Sequence, residues 1–547
     1  MIPGTTGDGA HRRIERDPGT NHVSGQVGGS VIQAEVVYGV PPATAVPAAT
    51  PCQVPLVAHP FVARPEDTDR LDLITAPGPT PVIAVLTGLP GVGKTACALD
   101  WARRNADRFA GGLLYADLAA HRHTGGVAVT EVLASFLSAL GAPDVPPDLP
   151  GRVALFRHLT SRASTLVLLD GVDAPAQVRA VVPASPGSVV LVTSRFRLGG
   201  LAVDGARTVA LGPLPPALGA ALLGSAVPDG RVEADPDSAR DLVRLCAGLP
   251  IALRAVAARL AERPHWPVSH LVRDLADERT RLDGFAVDGE DPVRQLFDAT
   301  YEALPAPARL AYRVLGLHPG PEFGRDLAAA ATADAGVEDS LRALCRANLL
   351  EEFAPDRYRF HDLVHLHARG RAEREDTAAA RAEVERRTVR WYRLGASAAD
   401  HAVLGPARWR VARHDPDRLP DRPSALAWFE AERDNLRSAV RQAHASALHD
   451  EVWRTCEALW ASHLHHEHHD EWVELHELGV DSARRADNPQ AEVQLRHQLA
   501  RLHVEAGDLV RARVELDRAA AAMSGYERAH ALLTETAELL RAEGRPG

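Results

Sequence analysis

The chain has 547 residues, 46% of them hydrophobic and 5% aromatic, with a formal net charge of −11 spread along its length. That length exceeds a single hydrophobic core and predicts roughly three to five domains, while the acidic balance excludes a surface that coats nucleic acid non-specifically. Five scattered cysteines (Cys52, Cys97, Cys246, Cys345 and Cys456) give no disulfide or zinc framework, and the start lacks a signal peptide's apolar run. No stretch reaches about 18 uncharged apolar residues, so no membrane span and a cytoplasmic location are expected.

Residues 1–60 form an arm rich in Gly, Pro, Thr and Ala that is expected to be disordered. Within it, NHVSGQVGGSVIQAEVVYGV at 21–40 is strand-prone, with few charges, no Pro and one Gln able to ladder with its copies. Those are features of a steric zipper, opposed by Glu35, which would repel itself in an in-register stack. A sticky patch in a disordered leader and a docking strand that completes another sheet are the other readings.

Residues 61–215 alternate strands with helices. VIAVLTG runs into GLPGVGKTACALDWARRNA, a Gly-rich loop entering a helix. Further strands are GGLLYADLA near 111–119, TLVLLD at 165–170, SVVLVTSRF at 188–196 and TVALGPL near 208–214. This alternation predicts an α/β P-loop NTPase domain with a parallel sheet. Residues 216–289 are helical with a Gly-Leu-Pro break, and 290–375 give helices followed by a short hairpin, the winged-helix pattern. From 381 to 547 the pattern is helical. There RHQLARLHVEAGDLVRARVELDRAA reads as one degenerate, TPR-like repeat unit, its Gly507-Asp508 turn separating Leu495, Leu499 and Leu502 from Ala512, Leu516 and Ala519. ASHLHHEHHDEW at 461–472 pairs His465 with His469 and His466 with Asp470 at helical spacing. Its neighbouring His and Glu residues point all round a helix, so a polar face or loop is the reading.

Gly88-Leu-Pro-Gly-Val-Gly-Lys-Thr95 has the form GxxxxGK[ST] between a strand and a helix. The backbone of Gly88, Gly91, Val92 and Gly93 is expected to turn its N–H groups around phosphate, with the helix N-terminus aimed at the same charge. Lys94 would reach the β- and γ-phosphates and Thr95 would ligate Mg²⁺. Asp170, closing TLVLLD, would hold Mg²⁺ through water. Arg195 ends the next strand and can stabilise γ-phosphate charge. Asp173 either orients water or caps the following helix, and Asp117 is either a supporting polar group or a cap.

The phosphate loop, TLVLLD, VLVTSR, CAGLPIAL and YRFHDLVHLHA stand in an order that resembles the NB-ARC class of STAND signalling ATPases over about residues 61–370. That class includes plant resistance proteins, apoptotic-protease activators and actinobacterial regulators. The resemblance implies that Arg195 is the sensor arginine and that Pro250 of Gly248-Leu249-Pro250 packs on the adenine side. It also implies that Val62 and Arg64, in Phe61-Val62-Ala63-Arg64, line the nucleotide. His361, in Phe360-His361-Asp362, would contact the β-phosphate of ADP and lock a closed state. Phe360 stands where the class has Met, and Gly171 where many members have a second acid, which points to a slow ATPase. The implied cofactors are ATP/ADP and Mg²⁺, with an ADP-bound off state and an ATP-bound on state that forms a homo-oligomer. The helices after 381 would receive an unidentified trigger.

Residues 21–40 resemble the short amyloid-signalling motifs of some switch ATPases. That implies an output by templating an effector protein with a matching N-terminal motif, in antiphage defence or cell death. The alternative is a STAND-type transcriptional regulator that binds DNA or a DNA-binding partner. Direct DNA binding is not expected, because the first 60 residues cannot form the separate DNA-binding domain of such regulators and RALCRANLL is only modestly basic.

Overall fold

A computed structural model describes residues 50–118, 129–405, 410–411, 421–465 and 469–522. The strand-prone segment 21–40 lies outside the described residues.

Strands β1 (Val82–Gly88), β2 (Leu113–Asp117), β3 (Leu166–Asp170), β4 (Val189–Thr193) and β5 (Arg207–Leu211) form one parallel sheet in the order β2-β3-β4-β1-β5. Each falls on a segment read as a strand from its apolar run. Successive side chains alternate between two cores: Ala84, Leu86, Leu166 and Leu168 face one, Ile83, Val85, Val167 and Leu169 the other. Helices α1 (Pro65–Ile74) and α2 (Lys94–Arg104) cover the first face. Helices α3 (Val129–Ala139), α4 (Leu149–Leu159) and α5 (Pro175–Arg179) cover the second. Burial on both faces explains why the strands are apolar throughout rather than alternating.

Next come α6 (Pro216–Ala226), α7 (Arg231–Ala234), α8 (Pro236–Leu245), α9 (Pro250–Ala261) and α10 (Val268–Asp274). Proline at the first position of α9 loses no helical hydrogen bond there. The Gly248 carbonyl accepts the Leu214 N–H at 2.8 Å, which fixes this helix start to the end of the sheet.

Helices α11 (Pro292–Glu302) and α12 (Ala306–Leu315) precede β6 (Glu322–Gly324), α13 (Arg325–Thr332), α14 (Glu338–Arg346), β7 (Glu351–Ala354), β8 (Arg357–Arg359) and α15 (Asp362–Glu375). The three strands form an antiparallel sheet in the order β6-β8-β7, giving the expected winged-helix arrangement.

The remaining described elements are helices: α16 (Ala378–Leu404), α17 (Arg422–Ala431), α18 (Arg433–Ala445), α19 (His449–His463), α20 (His469–Arg485), α21 (Pro489–Glu505) and α22 (Leu509–Ala522). Leu495, Leu499 and Leu502 of α21 and Ala512, Leu516 and Ala519 of α22 are all buried, so the pair closes around the Gly507-Asp508 turn as its spacing predicts. In the histidine-rich stretch, 466–468 lie outside the described residues.

Two buried polar contacts join the winged helix to these helices. Arg357 on β8 pairs with Glu432, immediately before α18, and with Glu322 on β6. His318 Nε2 is hydrogen-bonded to the Tyr392 hydroxyl of α16 at 2.7 Å. Burial holds His318 down at about 3, far below an ordinary imidazole near 6.5. The unfolded chain therefore takes up this proton as pH falls below about 6.5 while the folded chain refuses it until about 3, so stability is lost across that window. Each tenfold change in proton affinity is worth about 1.4 kcal/mol, so the loss by pH 4 is on the order of 3–4 kcal/mol. His318→Gln is expected to flatten the acid limb of a plot of melting temperature against pH, and an unchanged slope between pH 7 and pH 4 would contradict this.

Candidate functional site

β1 lies inside the sheet between β4 and β5, and its last residue, Gly88, opens the phosphate loop. Gly88 has φ 145°, and a Cβ there would lie 2.4 Å from the Leu211 carbonyl oxygen. Gly91 has φ 77°, and its Cβ would meet Ile251 Cγ2 at 2.5 Å. Both positions therefore require glycine, the first for the sheet and the second for the approach of α9. Lys94 begins α2 and is buried, with Nζ donating to the Gly88 and Leu89 carbonyls at 2.9 Å each. Burial holds its pKa down at about 7, opposed by the Asp170 carboxylate and reinforced by Arg195.

Asp170 ends β3 and is almost fully buried. Its Oδ1 accepts the Thr95 hydroxyl at 2.8 Å and also the Thr193 hydroxyl. Burial raises its pKa, while the two hydroxyl bonds favour the charged form. Register places Asp117 directly opposite Asp170 across the β2–β3 pair. Asp173 is exposed beside the start of α5 and does not line the cleft.

A cleft of about 680 Å³ opens at this edge of the sheet. Its polar wall holds Lys94, Thr95, Asp170 and Arg195, with Gly91 and Gly93 from the loop. Val62, Arg64 and Pro250 line the cleft as well. Gly88 and Val92 shape the loop without lining the cleft. Arg64 is held by its neighbours: its guanidinium donates to the Val92 carbonyl at 2.5 Å and the Gly212 carbonyl at 2.7 Å, bracing the loop against the end of β5.

His361 is placed differently from the expectation. It does not line the cleft, and its Nε2–H donates to the Ala247 carbonyl at 3.0 Å. As the residue preceding α15, it is aimed at the loop before Pro250. Burial lowers its pKa, and its Nδ1 is buried with no hydrogen-bond partner among the described residues.

Several contributors were not read from the sequence. Arg254 lines the cleft one helical turn after Pro250, a spacing that could have revealed it. Thr193 buttresses Asp170 from the neighbouring strand. Asn348, just after α14, donates to the Arg195 carbonyl at 2.6 Å and the Thr87 hydroxyl at 3.0 Å.

No protein-family model matches the chain. It is 34% identical over 497 residues to the regulatory protein AfsR of Streptomyces griseus, covering 86% of this chain and 49% of that protein. The chain is related to AfsR-type regulatory proteins. AfsR of Streptomyces coelicolor (strain ATCC BAA-471 / A3(2) / M145) is 37% identical over 444 residues, covering 77% of this chain and 43% of that protein. The chain thus spans about half the length of the AfsR proteins it matches. Among solved structures, a STAND protein with a tetratricopeptide repeat sensor from Pyrococcus horikoshii is similar at a TM-score of 0.28 and 16% identity, covering 89% of this chain and 82% of that one. Cdc6p from Pyrobaculum aerophilum gives 0.30 and 15%, covering 60% and 95%. Scores at that level carry no weight beside the AfsR relation.

In this AfsR-related chain the winged helix is tied to the sheet next to Arg195. The Arg197 N–H donates to the Arg346 carbonyl at 2.8 Å, beside the Asn348 bonds. Asn348 sits at φ 51°, a left-handed conformation that asparagine and glycine tolerate. Asn348→Gly therefore removes the side-chain bonds without adding backbone strain. It is expected to weaken this junction by roughly 1–3 kcal/mol. The readout is hydrogen exchange at 195–197 and 346–349, where unchanged protection would refute the role.

Proposed function

We propose that the chain is a nucleotide-operated regulatory switch that binds ATP or ADP with Mg²⁺ at the phosphate loop and hydrolyses ATP slowly. The observation that carries this reading is the convergence of Lys94, Thr95, Asp170, Arg195 and Pro250 on one cleft. The Thr95 hydroxyl and Asp170 carboxylate are hard oxygen donors 2.8 Å apart, a set that fits Mg²⁺ with its remaining ligands from water and phosphate. Bound there, the ion would neutralise phosphate charge. Lys94 would exchange its two carbonyl partners for phosphate oxygens, and Val62 and Pro250 would pack on the base.

The γ-phosphate would meet Arg195, whose carbonyl is held by Asn348. ATP and ADP would then differ in the contact nearest the winged helix, and only such a difference lets a nucleotide shift a two-state balance. Gly171 follows Asp170 and Asp173 lies off the cleft, so neither supplies a water-orienting carboxylate there.

For the output, the relation to proteins named regulatory supports a regulator acting on DNA or through a DNA-binding partner over effector templating. The templating reading rests on residues 21–40, outside the described residues. Among the described residues no helix is long and apolar enough to cross a membrane. Within this proposal, the α14 end is engaged with the sheet in the closed form, so duplex binding through it would require opening.

Lys94→Ala is expected to weaken ADP binding roughly 100-fold, the worth of charge-assisted phosphate bonds of about 1.5–3 kcal/mol. Asp170→Asn should abolish the Mg²⁺ dependence of binding, and Arg195→Ala should lower ATP turnover while sparing ADP affinity. Calorimetry and phosphate release measure these, and wild-type ADP affinity in Lys94→Ala would overturn the reading. Gel-shift assays with ADP and with a non-hydrolysable ATP analogue test the output. Equal duplex binding in both states would refute gating by the winged helix.

A further inference from the structure

A second cleft, of about 580 Å³, lies between α16, the turn joining α18 to α19, and the end of α20. Its wall carries Arg386, Arg387 and Arg390 from α16, His449 from the start of α19, and Arg485 from the end of α20. Carboxylates also face it or adjoin it, so the charge has to be traced pair by pair. Glu383 is taken by Arg386 at 2.6 Å, Glu451 by Arg393 at 2.5 Å, and Asp450 by Arg454 at 3.1 Å. Asp481 binds Arg485 at 2.7 Å and His444 at 2.9 Å. Glu385 is held by the Ser446 hydroxyl instead, and Glu383 also attracts Arg387, but neither Arg387 nor Arg390 has an ion pair among the described residues. The Arg387 Nε is buried and has no hydrogen-bond partner among them either. The cleft also receives the start of α19, whose preceding residue, Leu448, supplies no side-chain cap. The 15-residue helix thus turns its N-terminal end, with Asp450 and Glu451 in its first turn, toward the same space.

We propose that this cleft binds a small molecule bearing a phosphomonoester. Two unpaired guanidinium groups one turn apart on α16 match the charge of a phosphate dianion, and their planar forks suit its oxygens. A concave site of this volume suits a metabolite-sized ligand rather than an extended acidic peptide. The position gives binding a consequence. α16 packs against α19 and against α13 of the winged helix. A phosphate held by α16 and the α19 start would stiffen the helix that connects the two regions. The binding claim stands independently of nucleotide at the phosphate loop.

The test uses the full chain carrying Lys94→Ala, which is expected to weaken phosphate binding at the phosphate loop. Inorganic phosphate and glucose 6-phosphate are titrated by calorimetry at constant ionic strength, with glucose and chloride as controls. Saturable binding of glucose 6-phosphate is expected, with inorganic phosphate weaker and the controls inert. Adding Arg390→Gln, at an exposed position, should weaken it roughly tenfold, and Arg387→Gln with Arg390→Gln should abolish it. Arg386→Gln, which removes an arginine already paired, should change it less than twofold. Circular dichroism confirms that each variant is folded. Absence of saturable binding of either phosphate, binding that survives the double substitution, or equal sensitivity to Arg386→Gln would each overturn the proposal.

Discussion

Parallel strands in register end together, and the proposed site depends on that constraint. Along one edge of this sheet, pairing sets Gly88 against Leu211, Leu86 against Thr193 and Asp117 against Asp170. Because β1 lies inside the sheet, the loop that leaves it is flanked by the ends of β4 and β5 rather than by solvent. Thr193 can then buttress Asp170, and Arg64 can reach both Val92 and Gly212. None of these residues could be assembled by a local turn alone.

The same geometry buries charge. Lys94 and Asp170 are both pushed toward their neutral forms by desolvation. Such groups are costly to bury and repay the fold only through polar partners. Here the partners are two loop carbonyls for the lysine and two threonine hydroxyls for the aspartate. Apolar packing on both faces of the sheet supports this arrangement. Perturbed groups gathered in one cleft are the pattern expected of a working site rather than of a purely structural core.

Much of this was legible because the signals are local. A strand, a Gly-rich loop and a helix occupy consecutive residues, and Asp170 closes an apolar run, so pattern alone locates them. The winged helix was legible from the order of its elements. Asn348 was not, because its partner Thr87 lies 261 residues away and the contact exists only once two regions dock. Asp117 gained its place beside Asp170 only when strand order was known. His361 shows a different limit. Its motif locates the start of α15, but not the partner of the ring, and here the Ala247 carbonyl takes it.

What links the cleft to the C-terminal helices is a short chain of buried polar contacts. Asn348 joins the Arg195 carbonyl to the segment after α14. From the winged helix, His318 reaches Tyr392 on α16, and Arg357 reaches Glu432 before α18. Each is a directional bond at a buried or half-buried junction, where leaving one partner unmade is expensive. Small displacements at either end are therefore resisted while these junctions hold. The segment after α14 is held by the sheet in this arrangement, which makes docking there and engagement of that surface by another macromolecule mutually exclusive. In the switch proposed above, the sheet that would bind nucleotide would itself cover that surface.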